Sequence, residues 1–338
     1  MKRFALFTAK CLIVCLGTLF LLFALNKRYM QVRENPYSDA NKFHFIKSTY
    51  NDIQICNLGS SHGEYAFYYD GLMKGRGYEC FNFAMSSQTY DYDYAILSMY
   101  RQYFSEQCLM FIPISYFSFN NEVTNEEEAQ FLNAKYYTFL SPKYIPGYNP
   151  YIDIITHYFP VLSAKEEIIK LFPTFSFKVS AAESQAPKGD TEKEAEFREK
   201  AKNRYHRHMD DKEEYFLDER IRNLYDILSF CKENGITAVL ITTPYTGLYS
   251  ELFSEEYKKE FSGIVQTIAE DTGTPYYDYS EDVRFADNLE YFSDADHLNT
   301  DGAAVFMEVI EKEVPEFGEF LSRTKPNGKG YDPKWKEG

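Results

Sequence analysis

Three side chains in this sequence have the types needed to pass a proton from an alcohol to a base. Ser61 lies in Gly59-Ser60-Ser61-His62-Gly63, directly after the apolar run Asp52 to Leu58. Asp294 and His297 form a D-x-x-H within Phe292-Ser293-Asp294-Ala295-Asp296-His297-Leu298-Asn299. A serine hydroxyl is a weak nucleophile until a base takes its proton. A glycine ahead of it lets the chain turn sharply out of a strand, and the following helix start aims unbonded N–H groups at a developing oxyanion. The D-x-x-H spacing lets a carboxylate and an imidazole share one turn, so that Asp294 fixes the tautomer and the other ring nitrogen of His297 faces the serine. Each motif also has a plainer reading: a serine turn can simply cap a helix, and Asp296 and Asp301 can mark a solvated turn.

Other candidates are weaker. Gly59 to Gly63 also fits G-x-S-x-G, but the α/β-hydrolase elbow comes after several strands and separates its acid from its histidine in the chain. His62 reads as a first-turn helix residue lining the site. His206 and His208, amid Arg204 and Arg207, read as a solvated face. Gly75-Arg76-Gly77 precedes a strand and not a helix, which argues against dinucleotide binding. The six cysteines show no C-x-x-C or metal-like spacing. No metal and no cofactor is expected, and a disulfide framework is not expected at this density. The net charge of -15 disfavours nucleic acid as a partner. Aromatics make up 18% of the chain, which fits either sugar-stacking tyrosines or a Phe-rich core with Tyr at its rim.

The elements that must position these groups follow from apolar patterning. Strands are expected at 52–58, 79–83, 109–114, 236–242 and 275–279. Helices are expected at 89–104, 211–234 and 254–271, with a last one starting near Thr300. Strands alternating with helices imply a parallel sheet covered on both faces. The expected fold class is α/β: a three-layer α/β/α sandwich on a five-stranded, mostly parallel, flavodoxin-like sheet. Ligands bind such sheets beyond the carboxyl ends of the strands, where Ser61 would sit. Residues 119–214 break the alternation; they contain several prolines and a polar stretch at 180–192 that reads as a loose loop.

Phe4 to Leu25 is apolar apart from Lys10 and two threonines, long enough for a helix to cross the ~30 Å hydrocarbon core. Lys10 lies near one end, where it can snorkel. No A-x-A cleavage site precedes Asn26, so an uncleaved signal anchor is favoured over a signal peptide. Lys2, Arg3 and Lys10 stand on one side and Lys27 and Arg28 on the other, a near balance that leaves orientation open. The domain reading is an anchor at 1–29, a stalk at 30–50, a catalytic domain at 51–118 and 215–318, an insertion at 119–214 serving as cap or partner surface, and a tail at 319–338.

The serine turn after the first strand, combined with D-x-x-H before the last helix, resembles the SGNH (GDSL-like) hydrolase superfamily. Gly59-Ser60-Ser61-His62 matches its first block, with Ser60 in place of the usual Asp. Asp294 to His297 matches its last block, with Leu298-Asn299 as the frequent continuation. Asn82-Phe83-Ala84-Met85-Ser86-Ser87 resembles the second block, with Ser87 where the family often has an oxyanion-donating glycine. The family's G-x-N-D after the third strand is missing; the strand ends Ile114-Ser115-Tyr116-Phe117, leaving Ser115 or Asn120 as substitutes for the family's Asn. The resemblance covers roughly 51–118 and 215–315. It implies Ser61, His297 and Asp294 as a catalytic triad, with Ser87, Ser86, Asn82, Ser115 and His62 around the oxyanion and substrate. It also implies an O-acyltransferase or esterase acting through an acyl-enzyme.

Divergent members that modify cell-surface polymers look similar in having an N-terminal anchor. The expected partners are therefore an acyl ester donor, a cell-surface glycan acceptor, the membrane through the N-terminal helix, and an integral-membrane acyltransferase. The expected location is the cell membrane, single-pass, with the main domain outside the cytoplasm. The competing expectation is an inactive scaffold of the same fold that binds a glycan or a membrane acyltransferase.

Overall fold

The computed structural model describes residues 2–31, 42–43, 46, 50–120, 135–137, 139–163, 190–210 and 214–327. Most of the expected stalk, the polar stretch at 180–189 and the tail beyond residue 327 lie outside the described residues. The chain divides into two compact units, Met1–His44 with Val123–Gln185, and Phe45–Glu122 with Ala186–Gly338.

The second unit carries the sheet. Its strands are β1 (Ile53–Asn57), β2 (Cys80–Asn82), β3 (Phe104–Pro113), β4 (Ile236–Thr242) and β5 (Tyr276–Asp278). All four pairings are parallel, in the order β2-β1-β3-β4-β5. This is the doubly wound flavodoxin-like order, and its topological switch point lies between β1 and β3. Every residue of β1 is buried, as expected of a parallel strand covered on both faces. β3 starts earlier than its apolar core suggests, because Phe104 pairs with Ile53 beyond a register shift. Pro113 ends it, where a missing N–H is tolerated.

Apart from single turns at Gly247–Ser250 and Val283–Ala286, the α-helices described in this unit are α2 (Ser61–Ala66), α3 (Asp70–Arg76), α4 (Tyr90–Tyr100), α6 (Asp190–Met209), α7 (Asp218–Glu233), α8 (Glu255–Thr272), α9 (Thr300–Glu313) and α10 (Pro315–Arg323). The helix expected at 211–234 begins only at Asp218. α9 is not the last: Pro315 opens α10, which buries Phe317 and Phe320. Pro fits there because a first-turn N–H has no helical partner. α6 is mostly polar, and its buried apolar side chains, Phe197, Ala201 and Met209, form a stripe too sparse to stand out in the sequence. Its local signal is charge: Glu194–Arg198 and Glu196–Lys200 pair one turn apart. α9 buries Phe306, Met307 and Ile310 against the sheet, each worth about 1.5–3 kcal/mol.

The first unit contains α1 (Lys2–Gln31) and α5 (Pro150–Tyr158). Arg3–Tyr29 is long and apolar enough to cross a membrane, and its apolar window is entirely exposed. The helix continues through Lys27 to Gln31, into the region expected as stalk. Phe43 is buried and stacks on Phe139 with ring centroids 3.9 Å apart.

Candidate active site

β1 ends at the switch point, and the chain turns there through Gly59, whose φ is +108°. An L side chain rarely adopts that value, and a Cβ would also meet the Pro113 ring at 3.2 Å. Ser60 is the N-cap of α2 and Ser61 its first residue. Ser61 is thus not the cap. Gly63 lets α2 begin tight against β1, since a Cβ there would lie 2.4 Å from the Leu58 carbonyl oxygen.

The histidine arrives from a closed loop. Phe292 and Leu298 form an antiparallel bridge, and Ser293 N–H donates to the His297 carbonyl at 2.9 Å. Inside it, Asp294 Oδ1 accepts from the backbone N–H of Asp296 and of His297, at 3.2 and 3.0 Å. Its Oδ2 lies 2.9 Å from Nδ1 of His297. The carboxylate therefore orients both the backbone and the ring. Asn299 caps α9 by accepting from Gly302 N–H at 2.9 Å, which fixes where the loop ends. With the Nδ1 proton directed to Asp294, Nε2 keeps its lone pair, and the Ser61 hydroxyl stands 2.8 Å from it. His297 is buried and Ser61 half-buried.

The segment Asn82 to Ser87 is stitched to the serine turn. Asp93 Oδ1 accepts from Gly59 N–H at 2.9 Å and from Gln88 Nε2 at 2.6 Å. Met85 N–H donates to the Gly59 carbonyl at 3.1 Å. Between them Ser87 holds φ +57°, the one positive value for a non-glycine among the described residues. The left-handed backbone costs an L residue about 1–2 kcal/mol. That explains why a glycine would suit the position, and the turn must be held by its surroundings.

The remaining sequence candidates are placed differently. Asn82 is a bracket: its Nδ2 donates to the carbonyls of Gly63, Glu64 and Phe67, and its Oδ1 accepts from Asn57 Nδ2 and Ala84 N–H. Ser86 donates its hydroxyl to Glu64 Oε2 at 3.0 Å. Neither Ser115 nor Asn120 offers the side-chain donor expected of the third block. Asn120 is buried and donates to the His208 carbonyl and Met209 Sδ. Ser115 Oγ is bonded to Nδ1 of His62.

His62 is buried, and its Nε2 lies 2.9 Å from Asp296 Oδ2. Burial pulls its pKa down, partly offset by the Asp296 carboxylate. A neutral ring facing a carboxylate through Nε2 carries its proton there, so Nδ1 accepts from the Ser115 hydroxyl. Asp296 is not in a solvated turn; it is 1% exposed. Burial opposes its charge, but His297, His62 and Arg204 outweigh that and hold the carboxyl well below its usual range.

Arg204 is the residue that spacing did not reveal. It reaches the site from α6, with Nε 2.8 Å from Asp296 Oδ1 and Nη2 2.8 Å from both ring nitrogens of His297. An atom equidistant from both ring nitrogens lies over the face of the imidazole, so the guanidinium stacks on His297 and leaves the in-plane Nε2 lone pair to the Ser61 hydroxyl. His208, expected on a solvated face, stacks on Phe117 with centroids 3.8 Å apart and bonds Tyr249 Oη at 2.7 Å. Burial pushes its pKa down to about 3. His206 does stay exposed.

His62, Asp296 and His297 offer ligand atoms within 4.8 Å of one another, a grouping that could hold a metal ion. The donor set argues against it: a divalent cation there would face the Arg204 guanidinium and displace the His62–Asp296 hydrogen bond. The six cysteines are free thiols, four of them buried.

No protein-family model matches the chain, and no curated protein matches it. Among solved structures it is similar to a protein from Streptococcus pneumonia described as a "putative platelet activating factor". That match has a TM-score of 0.42 and 10% identity, over 89% of this chain and 99% of that one.

Proposed function

We propose that the chain is a membrane-anchored serine acyl-transfer enzyme that works through an acyl-enzyme on Ser61. The observation that carries this reading is the unbroken line Asp294–His297–Ser61, with contacts of 2.9 and 2.8 Å. In the first step His297 Nε2 takes the hydroxyl proton as Ser61 Oγ bonds to an ester carbonyl carbon. The tetrahedral oxyanion is met by the backbone N–H groups of Ser61 and Ser87. Collapse breaks the ester C–O bond, and the leaving alcohol takes the proton from His297. An acceptor hydroxyl, or water, then attacks the acyl-enzyme with His297 again as base. Asp294 stabilises the imidazolium in both halves.

A sugar hydroxyl of a surface glycan is the favoured acceptor, because α1 would keep the domain at a membrane. The same line of residues serves transfer to water equally, so O-acyltransferase and esterase share every step up to the acyl-enzyme. A second reading, a non-catalytic scaffold, is favoured by one observation: the two side chains expected to supply a third oxyanion donor are engaged elsewhere, Ser115 with His62 and Asn120 with the His208 carbonyl.

A fluorophosphonate probe with peptide mapping separates the two. Labelling at Ser61 that disappears in Ser61→Ala supports the enzyme. Absence of labelling in folded full-length protein supports the scaffold. Incubating the labelling-competent protein with an acetyl ester and a glycan fragment, and comparing acetate with acetylated sugar, tells hydrolysis from transfer.

A further inference from the structure

α5 is amphipathic in the wrong sense for a helix in water. Tyr151, Ile154, Ile155 and Tyr158 recur at the spacing that puts them on one helical face. That face points outward: Tyr151 is 95% exposed, Ile155 60% and Tyr158 66%. Ile154 is exposed as well, and so is Leu162 in the 3₁₀ turn Pro160–Ser163 that follows. The polar side chains point inward. Asp153 is buried and accepts from Asn149 N–H at 2.7 Å, and the His157 ring packs between Tyr137 and Tyr148. Contiguous apolar surface of this kind marks a membrane or partner site.

Its attachment point favours the membrane. Within the same unit, the end of α5 is tied to one level of α1. Asn26 Nδ2 donates to the Tyr158 carbonyl at 3.4 Å, and its Oδ1 accepts from Val161 N–H at 3.1 Å. The Phe23 ring meets Phe159 edge-on, with centroids 5.1 Å apart. Asn26 is the first residue past the apolar run Phe4 to Leu25. At about 1.5 Å per residue that run matches the hydrocarbon thickness, so Asn26 marks the boundary between acyl chains and headgroups. Lys27 and Arg28 follow on the headgroup side.

We propose that α5 and the turn after it form an interfacial helix. They would lie in the headgroup–acyl boundary of the bilayer that α1 crosses, on the Lys27 and Arg28 side. The tyrosines sit at headgroup level, with Ile154, Ile155 and Leu162 in the upper acyl region. The lipid surface is the occupant of the exposed face, and the proposal rests on α1 spanning the membrane.

The single tryptophan makes the test direct. In a Trp335→Phe background, one reporter at a time is introduced as Ile155→Trp, Ile154→Trp, Ile13→Trp or Val283→Trp. The full chain is reconstituted into phosphatidylcholine–phosphatidylglycerol vesicles containing lipids brominated near the headgroup or deep in the acyl chain. Circular dichroism checks that each variant is folded. The expected result is blue-shifted emission and at least twofold quenching by shallow bromines for Ile155→Trp and Ile154→Trp. Ile13→Trp is quenched by deep bromines, and Val283→Trp by neither. If Ile13→Trp is quenched while both α5 reporters are not, the proposal is overturned and the spanning reading stands. The same pattern with blue-shifted α5 reporters would assign the face to a second copy of the chain and overturn it too. If Ile13→Trp is not quenched, the spanning reading fails and takes the proposal with it.

Discussion

The hydroxyl of Ser61 stands 2.8 Å from Nε2 of His297 across 236 positions of sequence. If this contact makes the nucleophile, His297→Gln removes the base while leaving a ring-sized polar group. The expected outcome is a fall in kcat on an aryl acetate of about 10³-fold or more, with KM changed little. Stopped-time ester assays on purified full-length protein check it.

Asp294 orients His297 through its ring and its backbone. Asp294→Asn should retain the loop but no longer enforce the tautomer, lowering kcat by about 10²–10⁴-fold. Asp294→Ala should do the same and also reduce thermal stability, because two backbone N–H groups lose their acceptor. A comparison of kcat with melting temperature for the two variants separates the effects.

Arg204 compensates a fully buried carboxylate while about a fifth of its own side chain stays exposed. Arg204→Met should therefore destabilise the protein by about 3 kcal/mol near neutral pH. The pH dependence has a definite sign. The folded pKa of Asp296 is depressed, so its stabilisation is present above the unfolded value of about 4 and fades as pH falls through the folded one. The gap between wild type and Arg204→Met should be full at pH 7 and narrow below about pH 4. Denaturant melts across that range measure it.

Burial lowers His208 to about 3 and lowers His62 as well. Both are therefore neutral in the folded protein at pH values where the unfolded chain already binds protons. Below about 6.5 the unfolded state takes up more protons, so stability falls as pH drops, by about 1.4 kcal/mol per pH unit for His208, with His62 acting in the same direction. His208→Asn should reduce that slope between pH 6 and 4 by about that amount, whatever it does to absolute stability.

Ser87 bears a left-handed backbone conformation. Ser87→Gly should raise the melting temperature slightly and leave the rate within about threefold, because the N–H proposed as an oxyanion donor survives. Ser87→Val should lower both, since a β-branched residue tolerates that conformation poorly.

How much of this was readable beforehand depended on whether the signal was local. Ile236–Thr242 was legible to the residue, because a β-branched run buried from Val239 onward needs no distant information. The serine turn and the D-x-x-H loop were legible for the same reason: each is closed by its own backbone. Their meeting is tertiary, but parallel-sheet topology allows it to be anticipated. Arg204 was not legible, since an arginine beside the sparse stripe of Phe197, Ala201 and Met209 reads as an ordinary charged helix residue until the buried carboxylate that it meets is known. The engagement of Ser115 by His62 was equally hidden. It depends on a neutral imidazole fixed by Asp296, which lies 234 positions away. The plainer alternative for Asp296, a solvated turn, fails because charge alone does not reveal a buried counterion.

The antiparallel closure between Phe292 and Leu298 has a consequence for biosynthesis. On the proposed mechanism, acid and base come as one prefabricated cassette that lies beyond all five strands in the order of synthesis. The growing polypeptide would then carry its alcohol long before anything could deprotonate it. A product interrupted anywhere ahead of that cassette would be chemically silent, and so would a folding intermediate that had not yet docked it. Reactivity would then appear only when the sheet is complete.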